Sequence, residues 1–192
     1  MQPCDVHKLL SGAPFQWWIA GGWALDLFMG EQTRPHFDID VAIARKGQNA
    51  AQQHLSEWDF AYALRKGNEI VLRPWEPGQV LGREIHGIWA RQTPDSPWSF
   101  EFCLHEIDDG IWTFRYHGAV QHPLGRVGGC TPEGIRYLKP EIALLYKAAR
   151  MRPVDVQDFH RVLPRMGSEQ RSQLAADLLC CWPEHPWLGA LK

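Results

Sequence analysis

The sequence predicts an α+β fold, with a mixed β-sheet flanked by helices over residues 1–130 and a small C-terminal helical region over 131–192 that packs on it. Three observations predict it. Residues alternate with the two-residue period of a strand at Asp38–Ala44 and again at Trp98–His105. Glycine and proline crowd the stretch His122–Pro132, as in a linker. Beyond it Pro140 opens a helix at the position where proline is tolerated, and Ile142, Leu144, Leu145 and Ala148 recur with helical spacing. A chain of 192 residues with 45% apolar content has enough apolar surface for one substantial core with a small helical appendage.

In chain order, Asp5–Leu10 opens a helix, and the apolar run Phe15–Ala20 reads as a short strand ending at Gly21-Gly22. Trp23–Met29 then reads as a helix that stops at Gly30. After the strand at Asp38–Ala44 comes a helix over Gln48–Glu57. Tyr62–Lys66 and Glu69–Arg73 form a hairpin through Gly67-Asn68, Arg73–Gly78 is a loop, and Glu84–Ala90 is a further strand. Asp108-Asp109-Gly110 is a hairpin turn leading into Ile111–Tyr116. Asp155–Leu163 and Ser168–Cys181 are the last helices, with Ser168 as N-cap.

The chemistry-bearing residues lie early. On a strand Asp38 and Asp40 point to one face, and the repulsion between two neighbouring carboxylates is relieved by a divalent cation between them. Oxygen ligands of this kind suit Mg2+, which completes its octahedron with water and substrate phosphates. An Asp-x-Asp pair alone also occurs at solvated strand ends. A glycine pair alone is commonly only a turn. Here Gly21 and Gly22 precede a helix whose N-terminal N–H groups favour anions, and one short helix separates them from the carboxylates, so both elements can meet one triphosphate.

The segments Trp18–Asp26 and Gly30–Asp40 resemble the active-site signature of the small antibiotic nucleotidyltransferases, the aminoglycoside and lincosamide adenylyltransferases of the DNA polymerase beta-like superfamily: Gly-Gly-Trp, a short helix, Thr-Arg, His, then Asp-x-Asp. A weaker similarity covers Gly134–Ala148 and Arg152–Phe159, which looks like the helical tail of that group. The resemblance implies a polymerase-beta-like nucleotidyltransferase core and transfer of a nucleoside monophosphate, AMP from ATP, to a hydroxyl with Mg2+ as cofactor. The acceptor it implies is a small molecule, an aminoglycoside or lincosamide. RNA or protein acceptors, as in toxin-like members, and an idle nucleotide-binding scaffold are the alternatives. Monomer and homodimer both remain open.

The superfamily draws a third carboxylate from a neighbouring strand, and Glu101 is the candidate, as metal ligand or as general base. Phe100, Phe102 and Leu104 share one face of its strand, and Glu101, Cys103 and His105 the other. Glu106, Asp108 and Asp109 are its rivals. The expected set is therefore Asp38, Asp40 and Glu101 for metal and catalysis, with Gly21, Gly22, Arg34 and Lys147 at the nucleotide. Arg34 offers a planar fork to phosphate oxygens, or is a surface arginine. Lys147 offers a charge from the tail helix, or faces solvent. His36 orients a carboxylate or phosphate or meets a backbone carbonyl, and Asp26 pairs locally. Asp155 and Asp158 resemble a Lys-Asp-x-x-Asp element, with Val154 where the Lys belongs.

A net charge of −2 and a pI near 6.5 give no general attraction to nucleic acid, and Arg45-Lys46 and Arg65-Lys66 are only short basic pairs. A cationic acceptor calls for an acidic pocket, for which Glu106, Asp108, Asp109 and Glu141 are available. Of the ten tryptophans most are expected in packing, with Trp23 and Trp89 the candidates for ligand contact. Cys4, Cys103, Cys130, Cys180 and Cys181, odd in number and without Cys-x-x-Cys spacing, predict a reduced cytoplasmic protein without a zinc site, and no apolar run is long enough for a membrane span.

Overall fold

The computed structural model describes residues 1–66 and 69–191. The strands are β1 (Trp17–Ile19), β2 (Asp40–Ala44), β3 (Asp59–Lys66), β4 (Glu69–Pro74), β5 (Gly87–Arg91), β6 (Phe100–Asp108), β7 (Ile111–Thr113), β8 (Gln121–Pro123), β9 (Gly128–Cys130) and β10 (Arg136–Leu138). The helices are α1 (Pro3–Leu9), α2 (Gly21–Met29), α3 (Gln48–His54), α4 (Pro140–Ala148), α5 (Pro153–Val162) and α6 (Ser168–Cys181). They build one mixed sheet in the order β4-β3-β5-β6-β2-β1-β10-β9, with β7 paired to the far half of β6 and β8 to β7. The β2–β6 and β1–β10 pairs are parallel; the other strand pairs among the described residues are antiparallel.

The alternation read in the sequence explains why both faces of the sheet are covered. Val41 and Ile43 of β2, with Phe100, Phe102 and Leu104 of β6, are buried in a core closed by Val6 at α1 and Ala51 at α3. Ala42 lies in the opposite core with Leu25 of α2, Leu144 and Leu145 of α4, Phe159 of α5 and Leu174 and Leu178 of α6. Asp40 shares the Ala42 face, so the tail helices lie on the side of the sheet that carries the carboxylates. Six of the ten tryptophans, Trp17, Trp18, Trp23, Trp75, Trp112 and Trp187, are buried in these cores, as packing residues should be.

Several boundaries differ from expectation. The linker expected over His122–Pro132 holds β8, a 3-10 turn and β9, and β10 adds to the sheet beyond residue 130, so sheet-forming sequence runs past the expected division at 130/131. Its glycines serve packing: Gly128 lies against the Trp18 indole, where a Cβ would meet Cδ1 at 2.6 Å. The cap of α6 is Gly167 rather than Ser168. The Asp109-Gly110 turn forms as expected, with both residues at positive φ (48° and 76°). β3 and β4 pair in hairpin register, and the expected Gly67-Asn68 turn lies outside the described residues.

Candidate active site

β2 begins at Asp40, and its parallel register with β6 sets Asp40 directly beside Glu101. The backbone holds this edge tightly: Ala20 N–H donates to Asp40 O (2.7 Å) and Glu101 N–H to Ile39 O (2.9 Å). The start of α2 is thereby fixed against the start of β2. Its first helical bond runs from Ala24 N–H to Ala20 O (3.2 Å), which leaves the N–H groups of Gly21, Gly22 and Trp23 without a helical acceptor.

The glycines also have a steric reason. A Cβ on Gly21, whose φ is 61°, would overlap the Asp40 carboxylate, with Cγ at 3.2 Å. One on Gly22 would meet the Arg34 guanidinium and the His36 ring, at 2.6 Å from Cε1. On Gly87 of β5 it would overlap the Glu101 carboxylate, with Cδ at 2.8 Å. Missing side chains at Gly21 and Gly87 thus make the room in which the two carboxylates sit. The sequence gives the Gly-Gly pair a turn's role; in the structure it is the first turn of α2, cleared for the residues of the next strand.

Burial dominates the electrostatics. It pushes the Asp40 carboxyl up to about 6, the negative charge of Asp38 pushes the same way, and Lys147, the Cys103 thiol and Arg150 oppose them. Glu101 is pushed up to about 7, first by burial and then by Asp40 and Asp38, against Arg115 and Arg150. Asp38 precedes β2 and is exposed, within electrostatic reach of both. Among the described residues no three His, Cys, Asp or Glu side chains converge on one point to cage a metal. Paired oxygen donors that repel one another, held open by the glycines, fit a magnesium ion that takes one or two carboxylates and fills its octahedron from phosphate and water.

The rest of the signature is scaffold. Asp26, buried on α2, accepts from Thr33 Oγ1 and pairs with His36 Nε2 (2.5 Å), whose ring packs on Trp23 at 4.3 Å. His36 therefore orients a carboxylate, of α2 rather than of the Asp-x-Asp pair, and Trp23 is filled by His36. Arg34 puts Nε and Nη2 on the two oxygens of Asp158 (2.9 and 3.0 Å) and Nη1 on Pro35 O (3.1 Å). The fork expected to meet phosphate is thus occupied by the tail. Lys147 is buried rather than solvent-facing, and its Nζ lies 3.2 Å from Asp155 and 2.9 Å from Asp158. The amine absent at Val154 is supplied from one helix earlier. Arg152 and Arg161 complete the cluster on Asp155 and Asp158, and these cations draw both carboxyls below the ordinary range even though burial pushes the other way.

Sequence reading passed over two arginines that act on the site. Arg115, on the residue after Phe114, has a buried Nε without a hydrogen-bond partner and a guanidinium 5.0 Å over the Tyr146 ring. Arg150 follows α4, is exposed and makes no ion pair among the described residues; the next residue, Met151, takes the left-handed conformation at φ 50°. An arginine past a helix end ordinarily serves the helix dipole, so Arg150 carried no sequence signal, and Arg115 lies in the connection between β7 and β8, where no motif marks it. Trp89 stands opposite Glu101 across β5–β6. The four acidic residues expected to line one pocket have other engagements: Glu106 is held by Arg45 (2.7 Å), Asp108 faces Lys46 (3.9 Å), Asp109 forms the turn, and Glu141 is buried beside Lys139 and Gln170.

Comparison with known proteins agrees with this geometry. Residues 4–71 match the family described as Aminoglycoside-2''-adenylyltransferase. The 2''-aminoglycoside nucleotidyltransferases of Escherichia coli and Klebsiella pneumoniae are each 32% identical over 77 residues, covering 34% of this chain and 44% of theirs. The chain therefore matches less than half the length of those relatives. The crystal structure of ANT(2")-Ia in complex with adenylyl-2"-tobramycin superposes with a TM-score of 0.54 over 91% of this chain and 95% of that one, at 16% identity. Lincomycin-bound LnuA, a lincosamide antibiotic adenylyltransferase, gives 0.52 over 83% and 92%, also at 16%. At those identities the likeness is one of fold.

Proposed function

We propose that this chain, which has the sequence signature of the antibiotic nucleotidyltransferases at its N-terminal end and their fold throughout, is a magnesium-dependent nucleotidyltransferase that moves AMP from ATP to a hydroxyl of an aminoglycoside or lincosamide. The observation that carries the reading is the side-by-side register of Asp40 and Glu101, next to the open N-terminus of α2. Asp38 and Asp40 would hold the metal, with Glu101 beside Asp40 as a further ligand or as the general base. Bound there, Mg2+ offsets charge on the triphosphate and favours ionisation of the attacking hydroxyl.

The protein's own groups do the remaining work. The free N–H groups of Gly21 and Gly22 and the positive end of α2 receive phosphate oxygens. Arg150 and Arg115 bring positive charge to the carboxylates and to the polyphosphate beside them. Arg34 and Lys147 contribute to nucleotide binding through the network on Asp155 and Asp158, which fixes the signature loop to the tail. Glu101, beside Asp40 and raised by burial and by that neighbouring charge in the metal-free site, is suited to take the proton of an acceptor hydroxyl. Trp89, its register partner on β5, would contact the acceptor. With Glu101→Gln, nucleotidyl transfer to tobramycin or lincomycin should fall at least about 100-fold while nucleotide still binds; undiminished transfer would remove Glu101 from the mechanism.

A further inference from the structure

β4 closes one end of the sheet and, among the described residues, pairs only with β3. Trp75 N–H donates to Phe60 O (3.1 Å), and the register continues through Tyr62↔Arg73 and Leu64↔Val71. Hydrogen-bonded pairs alternate along an antiparallel ladder, so Arg73 and Val71 bond inward to β3 and the backbone groups of Leu72 and Ile70 point out of the sheet. Pro74, which has no N–H to offer, occupies the next outward position. The side chains at the two outward positions are apolar and uncovered: Ile70 is 62% exposed and Leu72 36%. An edge of this kind is a template for another strand.

The order of residues on β4 names that strand. Glu69-Ile70-Val71-Leu72-Arg73 runs from an acid through three apolar residues to a base, so the segment is its own complement when laid antiparallel. With Val71 facing Val71 on a twofold axis, Ile70 falls opposite the partner's Leu72 in a hydrogen-bonded pair, which uses the backbone groups that point outward. Glu69 then falls opposite the partner's Arg73 at a non-hydrogen-bonded position, where side chains approach most closely. The acid–base pair occurs twice, once at each end. An unrelated strand would satisfy the backbone but not this charge order.

We infer that β4 is a homodimerisation edge: two copies of the chain pair antiparallel through Glu69–Arg73 about Val71, and one sheet continues across both. The contact is isologous, as a twofold operator requires. β3 and β5 separate it from β6, so the catalytic carboxylates stay uncovered and the proposal is independent of the assigned activity.

The test is sedimentation velocity of the full chain over a concentration series. Wild type should shift towards dimer as concentration rises. Glu69→Arg alone and Arg73→Glu alone each set like charges opposite one another twice, and each should weaken dimerisation about tenfold or more. An equimolar mixture of the two single variants, or the double variant Glu69→Arg/Arg73→Glu, restores opposite charges and should restore association. Glu69 and Arg73 are exposed, and unchanged circular dichroism would establish that the variants fold. A wild type that stays monomeric throughout, single reversals that dimerise like wild type, or failure of the mixture to recover would each overturn the proposal.

Discussion

Replacing Asp40 by Asn removes one charge and little volume, and it should separate folding from chemistry. Burial and Asp38 hold the Asp40 carboxyl at about 6, against 3.8 when unperturbed. An upward shift of that size means the folded state disfavours the ionised form. By linkage the cost is absent below the unfolded value, grows as pH rises between the two values, and is complete above the folded one. The full shift corresponds to about 3 kcal/mol. Asp40 is only half-buried, so about 1–2 kcal/mol is the realistic share near neutrality after solvent screening. The assay is thermal unfolding of both proteins in chelator. At neutral pH the Asn variant should melt about 2–8 °C above wild type, and the gap should close towards about pH 4. Added Mg2+ should raise the melting temperature of wild type and not of the variant, and transfer should be lost only in the variant. A metal-free variant that melts below wild type at neutral pH would show that the Asp40 charge does not cost stability, and one that keeps full activity would take Asp40 out of the chemistry.

Asp158→Ala should cost about 3–5 kcal/mol of stability, read by denaturant unfolding, because it strands Lys147 and Arg34 next to a buried gap. The network itself should fail in acid: Asp155 and Asp158 titrate below the ordinary carboxylate range, so their stabilisation is complete above the unfolded value and disappears as pH falls through the folded ones, and Asp158→Asn should flatten that part of the pH–stability curve. Arg150→Ala should leave the melting temperature within about 2 °C, since the residue is exposed and unpaired among the described residues, while kcat/KM for the nucleotide drops about 10-fold or more. Gly87→Ala should displace Glu101 and lower kcat more than it changes nucleotide binding, as single-turnover rates and equilibrium titration would separate.

The elements that carry Gly21, Gly22 and Asp40 were legible in the sequence because they lie close together in the chain. The strand period at Asp38–Ala44, the helix ending at Gly30 and the face shared by Glu101 and Cys103 are local patterns, and the elements formed close to them, except that β2 begins at Asp40 and leaves Asp38 ahead of the strand. What stayed hidden depended on distant partners. Arg34 meets Asp158 at a separation of 124 residues, which converts a candidate phosphate ligand into a tie between loop and tail. Lys147 replaces the lysine missing at Val154 only because α4 and α5 fold against each other. His122–Pro132 read as a linker since two of its glycines, Gly128 and Gly129, are there for contacts, with Trp18 and Tyr137, that local sequence does not show. The four acids proposed as one pocket belong to separate pairings that only tertiary structure could reveal.

Transfer of a nucleotide to a small antibiotic can be followed in a single labelling experiment. The chain is incubated with α-labelled ATP and Mg2+ in the presence of tobramycin, kanamycin, lincomycin, bulk tRNA or no acceptor, and the label is followed. Label should appear on an aminoglycoside or lincosamide with stoichiometric release of pyrophosphate, and no product should form with Asp40→Asn. Label appearing only on tRNA or on the protein, or nucleotide bound with no product formed, would contradict transfer to a small antibiotic.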